Sequence, residues 1–511
     1  MLKKLCKVIV VAGAVLGLTA PAATAADYEL NLYGASAQHK FWNAAVPVWM
    51  SNVLGCTSVN TDNADAKHGI SVGTNCGAPY DPSDTITIRY SSNNSSYGIG
   101  TACGIASYSS EDGCPAGQIK MCDVPGSCGS TDRTCQEVHV GASDVELTSF
   151  TQTVVKDDTW TYTYDEQCPS SGNQSQEYLD AGCDTILTGS AKSVVVPFGF
   201  FANNAITKHR CTEPGPTGSE GEHYAYPHWG WQCDPSKTTV EGHNEDCVGY
   251  FKCVDGVCPA GARAGQPCTS GLLKGPLGCP DNLSDTKCEA MPIDNLSRLM
   301  VLQIFSAENA TWLDRWNQFG PWYPDAGIVR CMRCAGSGTH ATFDMQVFRG
   351  DATLMGTSLH GRFYHHESSS DLTKCVDENG WNDAAMGGPA EWGDRYAVGY
   401  ADVDKIINST SYPNTHIVKY QGVEPARAKI ENNEYNFWAA QTLYWNVAEI
   451  QTLGLTGLLN SLIASAQDSS FLDTIEPQNM FWTTNGEMAC QKVPDERAYP
   501  TVVPGSGGGP Y

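Results

Sequence analysis

The stretch Arg333 to Thr339, Arg-Cys-Ala-Gly-Ser-Gly-Thr, brings together residue types that bind anions. Its glycines allow backbone N–H groups to face an oxyanion, and Ser337 and Thr339 add hydroxyl donors. Arg333 supplies a fork of charged donors, and the amphipathic segment His340 to Phe348 would present the positive end of a helix. The stretch therefore predicts an anion clamp, with a plain glycine-serine helix cap as the alternative.

Three earlier turns have a similar small, hydroxyl-rich composition. Gly34-Ala35-Ser36 follows a predicted strand and opens a helix. Asn94 to Gly98 follows the next predicted strand, and Gly141 to Asp144 follows a group of cysteines. Each turn could direct N–H groups and a hydroxyl at an anion, although each alone could equally be a cap. Their order along the chain favours a single composite anion site.

Alternating strands and helices must position these turns. Strands are predicted over Tyr28 to Tyr33, Ile86 to Tyr90 and Ser193 to Phe201, the last an apolar run typical of a strand buried on both faces. Helical spacing is found over Phe41 to Trp49, Leu296 to Phe305, His340 to Phe348, Tyr435 to Trp445 and Ala448 to Ala464. This order favours an α/β protein with parallel sheets.

Residues 1–25 have the composition of a secretory signal peptide. Lys3, Lys4 and Lys7 precede an apolar run from Val8 to Leu18, and Ala23-Thr24-Ala25 has the form of a cleavage site. No later stretch approaches the roughly 18 consecutive apolar residues of a membrane span. The chain is therefore predicted to be periplasmic or extracellular, without membrane insertion.

The charge balance limits the partners. Three of the 31 basic residues lie in the predicted signal, so 28 would remain against 56 acidic residues. Such an acidic chain is unsuited to nucleic acid or to an anionic membrane surface. An anionic ligand would also be repelled at long range, so recognition would depend on short-range donors.

The chain has 22 cysteines, and 21 remain without Cys6. This number indicates an oxidising compartment and disulfides, with zinc sites as the alternative, and an odd count leaves at least one thiol unpaired. Two cysteine-rich insertions are predicted, at about 101–135 and about 210–289. The eight cysteines of the second are expected to pair among themselves.

Two groups near the clamp leave alternatives open. Cys331 and Cys334 flank Arg333, and they suggest either a structural disulfide, to each other or to Cys375 or Cys490, or a redox switch of affinity. Histidines could suggest a metal site, but no carboxylate spacing completes one, so they are interpreted as surface groups. These histidines are His39, His340, His360, His365 and His366.

With these features, the chain resembles the phosphate-binding proteins of the type II periplasmic solute-binding superfamily, the substrate-binding components of phosphate ABC transporters. Ser36, Ser95 and Asp144 match the family's Gly-Ala-Thr, Ser-Ser-Gly-Gly and Gly-Ala-Ser-Asp motifs, and Arg333 to Thr339 matches its Arg-x-x-Gly-Ser-Gly-Thr loop. The later matches are an interlobe strand at Ser193 to Asn203, a return strand at Ala397 to Tyr400, and late segments at Gly422 to Pro425 and Tyr435 to Tyr444.

The resemblance implies a two-lobed α/β fold with the ligand between the lobes. Lobe one would be 26–192 together with 400–511, ending in a frayed tail, and lobe two would be 193–399. The implied phosphate ligands from lobe one are Ser36, Ala37, Ser95 and Asp144, and those from lobe two are Arg333, Ser337, Gly338 and Thr339. No catalytic residue, metal or cofactor is implied.

The implied function is non-enzymatic binding of phosphate or arsenate by a monomer, with an ABC permease as the transport partner. The sequence departs from the family in two ways: Ala37 replaces an aromatic residue of the family motif, and the second insertion enlarges lobe two and could obstruct docking to a permease. A cysteine-rich structural or interaction protein is the first alternative. A phosphate-ester hydrolase is a weaker one, because Ser337 lacks a Gly-x-Ser-x-Gly elbow.

Asp144 is predicted to select the anion. Phosphate near neutral pH carries a proton that a carboxylate can accept, whereas sulfate presents only lone pairs. The alternative is that Asp144 simply caps the following helix.

Overall fold

The structure is a computed structural model. It describes residues 25–150, 174–211, 243–244, 273–274, 288–306, 313–349, 363–382 and 394–503, except positions 66, 111, 130, 321–322, 325, 367, 379, 406–410, 477–479 and 493–499. Nearly all of the predicted signal peptide and most of the second cysteine-rich insertion lie outside the described residues, as does the predicted frayed tail.

The strands are β1 Asp27–Gly34, β2 Ser58–Asp62, β3 His68–Thr74, β4 Thr85–Ser92, β5 Gln118–Met121, β6 Thr134–Glu137, β7 Val140–Ser143, β8 Gly189–Asn203, β9 Thr207–Cys211, β10 His243–Asn244, β11 Leu273–Lys274, β12 Cys288–Pro292, β13 Asn295–Leu296, β14 Gly327–Arg333, β15 Phe363–His366, β16 Gly380–Asn382, β17 Asp394–Asp402, β18 Thr415–Tyr420, β19 Trp438–Trp445, β20 Thr483–Thr484, β21 Cys490–Gln491 and β22 Thr501–Val502.

The α-helices are α1 His39–Asn52, α2 Ser95–Ala102, α3 Ser107–Ser110, α4 Gln174–Asp180, α5 Cys183–Ile186, α6 Arg298–Phe305, α7 Gly338–Phe343, α8 Ser369–Asp377, α9 Arg427–Glu431, α10 Val447–Thr452, α11 Thr456–Ala466 and α12 Ser469–Leu472. Short 3-10 turns cover Ser36–Gln38, Leu147–Ser149, Trp316–Phe319 and Val403–Lys405, and a π-helical turn covers Asp344–Phe348. None of the described helices is long and apolar enough to span a lipid bilayer.

One large mixed sheet organises the chain, in the order β15-β14-β17-β8-β19-β7-β1-β4-β3-β2. The long strand β8 joins its two halves, because its first part pairs with β19 and its last part pairs with β17 and β18. The prediction of parallel sheets is correct for β1 with β4 and β7 and for β14 with β15 and β17, but β8 is antiparallel to its neighbours.

The main hydrophobic core fills the space beside this sheet. In α1, Phe41 stacks on Trp482 with ring centroids 5.1 Å apart, and the indole of Trp49 donates to Ser461 Oγ of α11. A second buried cluster includes Ile119 and Met121 of the first cysteine-rich insertion. That insertion therefore shares a core with its neighbours instead of lying free on the surface.

The helix predicted over Tyr435 to Trp445 is wrong, because Trp438–Trp445 forms strand β19 between β7 and β8. Its residues are buried almost without interruption, so the apolar spacing that suggested a helix reflects burial on both faces of a sheet. The helix predicted over Ala448 to Ala464 is divided into α10 and α11 near Gly454, whose φ is +69°.

Disulfides connect several elements. Cys114–Cys135 and Cys122–Cys128 lie within the first insertion, while Cys103–Cys183 links it to α5. Two further bonds are Cys56–Cys76 and Cys331–Cys375. Among the described residues, Cys490 is a buried free thiol, as the odd cysteine count predicts.

Candidate functional site

The first part of the candidate site is formed by the turns after β1, β4 and β7. These strands are parallel neighbours, so their carboxyl ends meet at one edge of the sheet. Ser36, Ser95 and Asp144 follow these ends, and the Asp144 N–H donates to Ser95 Oγ at 3.1 Å. A Cβ at Gly98 would lie 2.6 Å from the carbonyl oxygens of Tyr33 and Ala142, so only glycine permits this close approach.

The second part comes from the other half of the sheet. Arg333 ends β14 and is 1% exposed. Its Nη1 donates to Ser369 Oγ at 2.5 Å, and its Nε donates to the carbonyl oxygen of His366 at 3.3 Å. Ser369 opens α8, and its hydroxyl also lies 3.5 Å from Ser36 Oγ. This hydroxyl therefore connects Arg333 with the turn after β1.

The Gly-Ser-Gly loop, Gly336-Ser337-Gly338, is part of the Arg333 loop and contacts both parts of the site directly. The Ser96 N–H donates to the carbonyl oxygen of Gly336 at 3.1 Å. A Cβ added at Gly338 would lie 2.3 Å from Ser95 Oγ and 2.7 Å from Asp144 Oδ2, so this position must remain glycine for the loop to approach both residues.

The other predicted phosphate-binding residues differ in their hydrogen bonding and burial. Ser337 caps α7, its hydroxyl oxygen accepting from the N–H of His340 at 3.3 Å. Thr339 Oγ1 is buried without a hydrogen-bond partner. Ala37 is buried in the main hydrophobic core, so it could contact an anion only through its backbone N–H.

Several buried polar atoms close to Arg333 and Asp144 have no hydrogen-bond partner. They are Asp144 Oδ1, Thr339 Oγ1, both amide atoms of Gln441 and both carboxylate oxygens of Asp402. Lys405 Nζ forms an ion pair with Asp402 Oδ2 at 3.4 Å. Because buried polar groups are usually paired, such a concentration of unpaired atoms indicates a ligand site.

Burial dominates the electrostatics of Asp144. It raises the pKa of the Asp144 carboxyl to about 7, and the nearby Asp402 carboxylate adds to the shift. Gln441, Arg333 and Ser95 favour the ionised carboxylate, so they partly offset this rise in the pKa of Asp144. Asp144 can therefore gain or lose its proton near neutral pH.

Arg333 and Asp402 are buried groups of opposite charge that affect each other electrostatically. Burial lowers the pKa of Arg333, while Asp402 and Asp144 oppose that shift. Burial raises the pKa of Asp402, but Lys405, Ser369 and Arg333 together outweigh burial and leave that pKa below its ordinary value. Lys405 is a second, largely buried cation in this region, beside the Asp402 carboxylate.

Asp144 does not cap a helix. The next helical turn, Leu147–Ser149, has Glu146 at its N-cap position, and one Asp144 oxygen has no partner. The capping alternative therefore has no support in these contacts.

The interpretation of the histidines as surface groups is wrong for the four that are described. His39, His340, His365 and His366 are all less than 9% exposed, and His360 lies outside the described residues. His340 Nδ1 lies 2.7 Å from the Tyr400 hydroxyl. His366 lies close to Cys331 and Cys375, but their sulfurs form a disulfide and are not available as thiolate ligands.

Sequence reasoning missed Ser369, Asp402, Lys405 and Gln441. A signal existed for the first of these, because Ser368-Ser369 shortly follows a strand and begins a helix, as the recognised turns do. Gln441 interrupts an apolar strand without any motif around it, so only its spatial neighbours identify it.

No family model matches the chain, and no curated protein matches it. Among solved structures, the chain is similar to a candidate phosphate ABC transporter substrate-binding protein with bound phosphate from Clostridium perfringens, with 11% identity over 89% of this chain and 98% of that one and a TM-score of 0.39. A candidate phosphate binding protein from Planctomyces limnophilus is 11% identical over 91% of this chain and 95% of that one, with a TM-score of 0.33.

PstS from Borrelia burgdorferi is 10% identical over 86% of this chain and 97% of that one, with a TM-score of 0.27. All three TM-scores are below 0.5, so these similarities do not identify a ligand for this chain.

Proposed function

We propose that the protein binds inorganic phosphate at the junction between the Arg333 loop and the turns that carry Ser95 and Asp144. The observation that carries this proposal is the Asp144 carboxyl, which is buried near the Arg333 guanidinium and has an oxygen without a partner. A carboxylate would oppose a fully ionised anion, so the natural ligand of this arrangement is an anion that carries a proton.

Phosphate fits both sides of such a site. Its O–H can donate to Asp144 Oδ1, while its other oxygens can accept from the donors of the Gly-Ser-Gly loop, the Thr339 hydroxyl and Arg333. Sulfate at neutral pH has no proton to donate to Asp144, so the ionised form of that carboxylate would repel it. Arsenate shares the protonation of phosphate and is expected to bind as well.

The proposal includes a two-lobed arrangement. Residues 26–192 and 400–511 would form lobe one and residues 193–399 lobe two, with β8 and β17 crossing between them. Binding would stabilise the closed form, because only that form brings Asp144 and Arg333 to the same ligand. The role is uptake or scavenging of phosphate by a monomer without catalysis, and uptake would require an ABC permease.

Calorimetry on the purified mature chain tests the ligand. We expect the wild type to bind phosphate and arsenate and to give no signal with millimolar sulfate, since an unpaired buried polar group can discriminate by about 10⁴–10⁵. Asp144→Asn should weaken the preference for phosphate over sulfate. Tight sulfate binding, or no heat with phosphate, would overturn the proposal.

The same titration tests the clamp. Arg333→Met should weaken phosphate binding by about 2–5 kcal/mol, because the buried anion would lose its charged guanidinium donors. Arg330→Met is the matched control: Arg330 is buried on the same strand, with its guanidinium bonded to the carbonyl oxygens of Ile304 and Leu313. The control should lose stability but keep its affinity, and equal affinity in Arg333→Met and wild type would remove Arg333 from the site.

A further inference from the structure

Gln441 occupies an unusual place in β19. Strand β19 is antiparallel to β7, with Thr442 opposite Ser143, so Gln441 lies at the register position beside Asp144. The pairing of β19 with β8 shifts between Ala440 and Thr442, which places an irregularity at Gln441 itself. Such irregularities commonly redirect a side chain at a functional site.

The side-chain amide of Gln441 is fully buried and unpaired. The residue is 0% exposed, and neither Nε2 nor Oε1 has a hydrogen-bond partner. Ala439, Ala440 and Leu443 on the same strand are apolar, and an apolar side chain at position 441 would avoid the cost of burying an amide. Stability alone therefore gives no reason for a glutamine here.

The neighbour of this amide is the Asp144 carboxyl. Gln441 favours the ionised form of Asp144 and so lowers its pKa, although no hydrogen bond of normal geometry joins the two side chains. An amide offers two N–H donors and one acceptor oxygen, so it can contact a carboxylate and a ligand oxygen at the same time.

We propose that Gln441 is a positioning residue of the phosphate site: with the anion bound, its Nε2 would donate to one Asp144 oxygen and leave Oδ1 to accept the proton of the ligand. This inference rests on the proposed phosphate binding. The amide would thereby orient Asp144, the carboxylate proposed to accept the proton of the ligand, while Arg333 supplies charged donors on the other side.

The experiment measures phosphate and sulfate affinity by calorimetry for wild type, Gln441→Met and Gln441→Glu. Met keeps the length of the side chain without its polar atoms, and Glu keeps its shape but removes the donors and adds negative charge beside Asp144. We expect phosphate affinity to fall about tenfold or more in Gln441→Met and further in Gln441→Glu, with sulfate binding absent throughout. The thermal midpoint of ligand-free Gln441→Met should equal or exceed that of wild type.

Gln346→Leu is the control for the loss of a buried amide. Its Nε2 donates to the Trp438 carbonyl oxygen at 2.6 Å, and its Oε1 accepts from the Trp438 N–H at 3.2 Å, so its loss should lower stability and leave phosphate affinity within a few-fold. Unchanged phosphate affinity in both folded Gln441 variants would overturn the role of Gln441 and leave the phosphate proposal intact. A wild type that binds no phosphate would overturn both.

Discussion

At the scale of a single residue, the binding role proposed for Asp144 conflicts with stability. The carboxyl is useful for recognition only where water is excluded, yet burial raises its pKa from 3.8 to about 7. Ionising it in the folded chain therefore costs free energy that the unfolded chain does not lose.

This conflict predicts a pH dependence of stability. Below about pH 4 the carboxyl is protonated in both states, and from about pH 4 to about pH 7 the unfolded chain ionises first, so folding stability falls as pH rises. The full penalty, on the order of 4 kcal/mol, is reached above the folded pKa. We expect ligand-free Asp144→Asn to be more stable than wild type at about pH 8, with the gain shrinking towards about pH 4, as measured by urea unfolding.

Asp84→Asn provides the comparison for this measurement. Asp84 is also buried, but its oxygens accept from the N–H groups of Ala26 and Asp81, each at 2.8 Å. Its replacement should lower stability at neutral pH. Identical pH profiles for wild type and Asp144→Asn would contradict the buried, ligand-facing assignment of Asp144.

At the scale of elements, the disulfide Cys331–Cys375 ties β14 to α8. The strand ends at Arg333 and the helix begins at Ser369, so the bond fixes the two elements whose side chains meet at 2.5 Å. Both cysteines are 0% exposed and lie in a buried apolar cluster. This supports a structural bond over a redox switch of affinity.

We therefore expect a thiol reductant, without denaturant, to leave phosphate affinity unchanged over hours. The double replacement Cys331→Ala with Cys375→Ala should lower the free energy of unfolding by about 3–4 kcal/mol through the freed unfolded chain. Calorimetry with and without reductant, combined with mass-spectrometric detection of free thiols, checks the first expectation. Affinity that falls in step with reduction of Cys331–Cys375 would restore the redox-switch hypothesis.

At the scale of the whole molecule, the second cysteine-rich insertion leaves and rejoins the body at one place. Strands β9 and β12 pair in antiparallel register, with Cys211 opposite Cys288. Facing residues in such a pair have Cα atoms about 5 Å apart, so a short linker can join them. The prediction that the eight cysteines pair among themselves falls largely outside the described residues and stays a prediction.

Replacing residues 212–287 by a short glycine-serine linker should therefore give a folded chain with phosphate affinity within about tenfold of wild type. Thermal unfolding and calorimetry check this expectation, and peptide mapping of the full chain under non-reducing conditions checks the pairing. If the shortened chain fails to fold, or if disulfides join the insertion to the first cysteine-rich region, the insertion is not a separate module.

The sequence by itself determined the features that depend on neighbouring residues. Arg333 to Thr339 lies at a strand end followed by a helix, and Ser337 caps that helix, because caps and tight turns are set by local residue types. The same holds for β1, β4 and β8, whose apolar patterns predicted strands correctly. Composition also predicted the disulfides and a free thiol.

Only the tertiary structure decided which distant residues share the site. Ser369, Asp402 and Gln441 come from separate strands and helices. Ser369 and Asp402 lie near Arg333 and Gln441 lies beside Asp144, because sheet pairing aligns the ends of those elements. The spacing of residues along the chain does not reveal how strands pair. It also predicted a helix at β19, because burial on both faces removes the alternation that marks a strand. The pKa of Asp144 has the same origin, since burial and the approach of Asp402 exist only once the chain has folded.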